Sequence, residues 1–151
     1  MNEKHKLRTL AACVLVLTTL SLSAQDISKT LTILLVNGKT GKPMKNERLL
    51  VFFGSSPPNV RMEKGFLDPH TNANGAATLR LDEPNLAYLQ VWADFRTLCQ
   101  SDPNDRSFSV ADIMKSGVQS PNNCGKIVIP NSPGRLIVYA RHSTFREEMA
   151  R

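Results

Sequence analysis

Short apolar runs, rich in β-branched residues and each cut off within a few positions by glycine, proline or asparagine, constrain this chain most. Residues 30–36 read Thr-Leu-Thr-Ile-Leu-Leu-Val and stop at Asn37-Gly38, a strong turn dipeptide; Gly41-Lys42-Pro43 continues the bend. Residues 49–53 form a second run, ended by Gly54 and the Pro57-Pro58 pair. After a loop over 54–64, Gly65-Phe66-Leu67 reads as a short edge strand, and 69–75 is turn chemistry again. Ala77, Leu79 and Leu81 then alternate with Thr78, Arg80 and Asp82, the pattern of a half-buried strand. Residues 86–93, 126–129 and 135–139 supply three more runs, with Pro130 and Pro133-Gly134 between the last two. No helix of ordinary length separates these runs, so a parallel sheet is not expected. The pattern predicts an all-β protein, an antiparallel β-sandwich of about seven strands.

Two short helices complete the reading. Ser109-Val110-Ala111-Asp112 resembles a capping box, Gly117 is a suitable stop, and Val110, Ile113 and Met114 share a face between them. A second helix starts at Thr144, where Phe145 and Met149 stack at helical spacing and form a candidate partner-docking pair.

The N-terminus reads as a leader. Lys4, Lys6 and Arg8 precede an apolar run from Leu10 to Leu22, too short to span a bilayer, and Ser21, Ser23 and Ala24 supply small residues for cleavage. A lipid anchor at Cys13 fits less well, because the apolar stretch lies mostly after it, and an uncleaved N-terminal anchor is the other alternative to cleavage. The expected organisation is therefore a signal peptide over 1–24 and a single domain over 25–151, secreted or periplasmic, with no stable membrane anchor after cleavage. The whole chain has net charge +6, of which +4 belongs to the domain. Its basic residues are scattered and nowhere alternate with aromatics, which argues against nucleic acid.

Two of the three cysteines survive cleavage, Cys99 and Cys124. In an exported chain an even pair reads as one disulfide, closing the irregular 94–125 segment that carries the first helix.

The run from Val36 through Asn37-Gly38-Lys39-Thr40-Gly41-Lys42-Pro43, a strand, then Thr71-Asn72-Ala73-Asn74-Gly75 leading into 76–81 and Leu89-Gln90-Val91, resembles the carboxypeptidase regulatory-like family. This is the transthyretin-like, or collagen-adhesin B-type, sandwich. The resemblance covers 30–93, fits the last strands loosely and leaves 94–125 unmatched. It implies a prealbumin-like seven-stranded fold serving as an accessory, folding or binding module, and fold alone does not give function.

The chemistries of that family do not carry over residue by residue. Hydroxyisourate hydrolases place a catalytic histidine where Leu34 stands here, and their closing Tyr-Arg-Gly-Ser is matched only by Tyr139-Ala140-Arg141-His142-Ser143. Pilin modules join a first-strand lysine to a last-strand asparagine, but 30–36 has no lysine, while Lys29 and Asn131 lie outside the strands. Without a base to activate water, no enzyme is expected and no catalytic residue is assigned.

Starch-binding relatives present aromatics on an open face. Tyr88, Gln90 and Trp92 alternate with Ala87, Leu89, Val91 and Ala93, so the two sets point to opposite sides of one strand. The outward set is the candidate ligand site, its rings roughly 13 Å apart and able to stack a short oligosaccharide. The preferred alternative is that the 94–125 segment, with Phe108, Ile113 and Met114, covers those rings, since large aromatics are mostly buried where cover exists.

His70-x-Asn72-x-Asn74-Gly75 echoes a calcium loop, but no carboxylate stands among its ligand positions, and Asn and Gly serve the turn without metal. No metal or other cofactor is expected. The sequence thus predicts an exported, non-catalytic module whose partner is a glycan or an extracellular protein. Assembly through the C-terminal segment and a transthyretin-like hydrolase are the alternatives.

Overall fold

A computed structural model of the chain describes residues 30–57, 60, 66–81, 86–94, 96–100, 107–144, 146 and 149. The leader expected over 1–24, Cys13 and Phe145 lie outside the described residues.

The described residues form nine strands and one continuous helix: β1 (Thr30–Asn37), β2 (Leu49–Gly54), β3 (Phe66–Leu67), β4 (Ala76–Arg80), β5 (Tyr88–Ala93), β6 (Arg96–Leu98), β7 (Ser107–Ser109), α1 (Val110–Ser116), β8 (Val118–Gln119) and β9 (Arg135–His142); Arg146 and Met149, within the second expected helix, are helical too. They divide into two sheets. One runs β4-β1-β9-β6, with β8 also on β9; the other runs β3-β2-β5-β7. The period-two patterns explain the layering. Leu31, Ile33 and Leu35 of β1 and Leu136 and Val138 of β9 turn one way; Val51, Leu89, Val91 and Phe108 of the other sheet join them in one buried cluster. Two sheets sharing one core is a sandwich-like arrangement.

Three expectations are corrected. The five-stranded sheet is mixed, because β1 pairs β9 in parallel, Ile33 opposite Leu136, and β8 also pairs β9 in parallel. The whole chain between β1 and β9 serves as the crossover that a parallel pair needs, so no long helix is required. The strand count exceeds seven because the 94–125 segment, expected to carry only a helix, adds β6 and β8 to one sheet and β7 to the other. These additions are two or three residues long, below what periodicity detects.

The third correction concerns 126–129, which is not a strand. Ile127 and Ile129 pack on a second cluster of Val36, Cys99, Ile137 and Tyr139, on the outer side of the mixed sheet, while Val128 between them is exposed. The segment alternates because it lies on a sheet face as a strap. It is held by the Tyr139 hydroxyl, which accepts the Ile129 amide at 3.0 Å and donates to Gln119 Oε1 at 3.0 Å.

The Cys99–Cys124 disulfide fastens the strap to the end of β6, with Cα atoms 5.2 Å apart. Beneath it Gly38 is obligatory for space, since a Cβ there would meet Cys99 Sγ at 2.8 Å and the Asn122 side chain still closer. Asn122 Nδ2 donates to Gly38 O and Ile127 O, both at 2.9 Å, tying the strap to the turn after β1.

The first helix is where the capping signal puts it. Ser109 Oγ accepts the Asp112 amide at 3.3 Å, and the Gly117 N–H closes on Ile113 O. The Thr71–Gly75 turn is fixed by Asn72 Oδ1, which accepts the amides of Asn74 and Ala76. That oxygen is committed to the turn. Gly75 sits at φ 72°, and a Cβ there would press on Leu35 O and Pro43.

Candidate functional site

β5 lies inside the four-stranded sheet, between β2 and β7. Its alternation is as expected: Leu89, Val91 and Ala93 enter the core, and Tyr88, Gln90 and Trp92 face outward. Cross-strand register then builds the outer face. Phe66 stands opposite Phe52, Phe52 opposite Gln90, and Gln90 opposite Ser107, forming one row across all four strands. Leu50 neighbours Trp92, and Gly54 and Ser109 flank Tyr88.

The cover expected from Phe108, Ile113 and Met114 is not on this face. Phe108 pairs with Leu89 in register and so belongs to the inner side, where Ile113 is buried and Met114 packs against the same core. The helix segment therefore closes the core and leaves the outer face alone. The connection after β2 reaches that face instead: Ser107 Oγ donates to Pro57 O at 3.2 Å, across the sheet from where β2 ended. The same connection carries Val60, fully buried yet outside both core clusters.

Exposure falls from the β3 edge to the middle of β5. Gln90 is 8% exposed, Tyr88 and Trp92 are half-buried with the indole Nε1 buried, and Phe52 is half-buried. At the β3 edge Phe66 is 55% exposed and Leu67 45%. The Gln90 side chain and the indole Nε1, two groups a sugar would hydrogen-bond, are thus buried, and at the β3 edge the accessible surface is apolar.

β3 is the last strand of its sheet. Phe66 lies on the outer side with Phe52, centroids 5.7 Å apart and planes inclined by 43°; Leu67 pairs with Val51 on the inner side. Both faces of one edge strand are therefore apolar and open. Just beyond, Arg48 pairs with Asp68 at 3.2 Å and Asp94 at 3.6 Å, partly exposed and forming a polar rim. Sequence reasoning identified β3 as a short edge strand but missed Phe66, Leu67 and Phe52 as site residues. The available signal was two consecutive large apolar residues in a strand too short to bury both.

The other candidates are dispersed. Met149 is 75% exposed, and its expected companion Phe145 is outside the described residues. Leu34, at the hydrolase histidine position, packs under the strap, and Tyr139 is buried with its hydroxyl committed. A pocket of about 360 Å³ opens between the strap and Tyr139; the Tyr139 and Ser120 hydroxyls and Asn122 Nδ2 that line it are spent on the protein itself, and Asn122 Oδ1 is buried. Among the described residues, no three His, Cys, Asp or Glu side chains gather as a metal site, and no helix is long and apolar enough to cross a membrane.

Compared with known proteins, the chain matches no family model and no curated sequence, so its role rests on the geometry above.

Proposed function

We propose that the chain is an exported, non-catalytic β-sandwich module that binds an extracellular protein through the β3 edge of its four-stranded sheet. The single observation that carries this reading is the joint exposure of Phe66 and Leu67, neighbours on opposite faces of a terminal strand. A partner strand laid along β3 covers both side chains at once, as in β-strand addition, whereas a stacked sugar covers Phe66 alone. An open apolar edge with a polar rim has the anatomy of a protein interface. The burial of the Gln90 side chain and of Trp92 Nε1 weighs against the glycan alternative.

A prealbumin-like arrangement is the fold we favour. Its support is that the Thr40-Gly41-Lys42-Pro43 and Thr71–Gly75 turns fall between β1 and β2 and just before β4, in the order of the resemblance. The disulfide is of the kind kept in oxidising compartments, which agrees with secretion or a periplasmic location.

The test is partner capture by residues 25–151 from the producing cell's surface or medium, comparing wild type with a Phe66→Ser, Leu67→Thr double variant. Loss of a captured protein with an unchanged melting temperature supports the reading. Retention of capture with both side chains removed overturns it. A second reading, assembly through the C-terminal segment, rests on the exposure of Met149 and is separated by deleting 144–151 in the same assay.

A further inference from the structure

Among the described residues, the outer face of the mixed sheet is covered along only half of its length. The strap lies over Val36, Ile137 and Tyr139 and stops at the row of Leu34. Beyond it, register places Arg80 beside Thr30, and Thr32 between Thr78 and Arg135, all five on the outer side because Leu31, Ile33, Leu79 and Leu136 point into the core. Thr30, Thr78 and Arg80 are exposed; Thr32 and Arg135 are partly so. Arg48 and Arg96 are tied to Asp68, Asp94 and Glu47 on other parts of the molecule, whereas neither Arg80 nor Arg135 has a counter-ion among the described residues.

We propose that this uncovered half, centred on Arg80 and Arg135, binds the sulfate or carboxylate groups of a linear acidic polysaccharide. Two strand spacings and one two-residue step separate the two Cα atoms by about 12 Å, a span two guanidinium side chains close from either side of the threonines. Guanidinium forks match carboxylate and sulfate oxygens, and the threonine hydroxyls between them donate to the same groups. Charge is the complementary feature: two cations with no counter-ion among the described residues and three hydroxyls on one face, in a domain with a +4 surplus. An anionic bilayer is the less suitable surface, because peripheral binding also draws on apolar side chains that insert, and these five positions have none. The face lies on the opposite sheet from β3, so the two binding surfaces are independent.

The experiment uses residues 25–151 with heparin and polygalacturonate as probes, neutral dextran as control, and vesicles containing phosphatidylglycerol as the lipid arm. Binding to at least one acidic polysaccharide at low salt is expected, lost as salt rises because exposed charges are screened. Arg80→Gln with Arg135→Gln is expected to weaken that binding about tenfold, and Lys42→Gln with Lys45→Gln, which removes equal charge from another exposed segment, less than about twofold. Circular dichroism and melting establish that both variants fold. No polysaccharide binding at low salt, equal loss in the two double variants, or binding to vesicles alone overturns the proposal.

Discussion

Phe66 and Phe52 face each other across the edge of the four-stranded sheet with ring centroids 5.7 Å apart, yet only Phe52 has a second strand beside it. Phe66 therefore contributes little to the fold. Phe66→Ala is expected to cost less than about 1.5 kcal/mol in urea denaturation, the worth of an exposed aromatic pair. Leu89→Ala, in the shared core, is expected to cost about 2–5 kcal/mol. Similar losses at the two positions would mean that Phe66 is a core residue in solution.

The disulfide constrains a 25-residue loop. Replacing Cys99 and Cys124 by serine is expected to lower stability by about 3 kcal/mol on the chain-entropy model, read as a shift in urea midpoint. Because the strap hangs from Cys124, Tyr139 should also become more accessible, seen as faster hydrogen exchange at the Ile129 amide.

The Tyr139 hydroxyl tests the strap without touching the sulfurs. Tyr139→Phe leaves the Ile129 amide and Gln119 Oε1 without their partner, at a cost of about 1–3 kcal/mol if both stay dry. An unchanged midpoint would mean that water replaces the hydroxyl and that the strap is held by packing and the disulfide alone.

Thr71 is 2% exposed; its hydroxyl donates to Met44 O at 2.7 Å and accepts the Glu47 amide at 2.9 Å. Thr71→Val keeps the shape and strands both backbone groups. A loss of about 1–3 kcal/mol is expected, with β1 and β2 themselves still protected in hydrogen exchange.

Much of the fold was legible because its signals are local. The alternation of Leu89 and Val91 with Gln90, the Asn37-Gly38 and Asn74-Gly75 turns, and the Ser109 cap each act within a few residues of themselves. The pairing of β1 with β9 was not legible, since register between strands a hundred positions apart leaves no mark in either strand. The 126–129 run misled for a related reason: alternation reports a buried side and an open side, and Ile127 and Ile129 satisfy it by resting on Tyr139 and Val36 with no ladder at all. At the site, β5 was placed correctly. Its cover was not, because Phe108 is one residue away from facing outward and only its pairing with Leu89 decides the side.

The most direct measurement is site-specific photocross-linking in the producing cell, with a benzophenone side chain placed in turn at 66, 67, 78 and 111. Positions 66 and 67 should both cross-link to one and the same protein, while Thr78 on the opposite sheet and Ala111 on the helix yield none of it. Cross-links to that protein from 78 or 111 but from neither edge position would contradict the account.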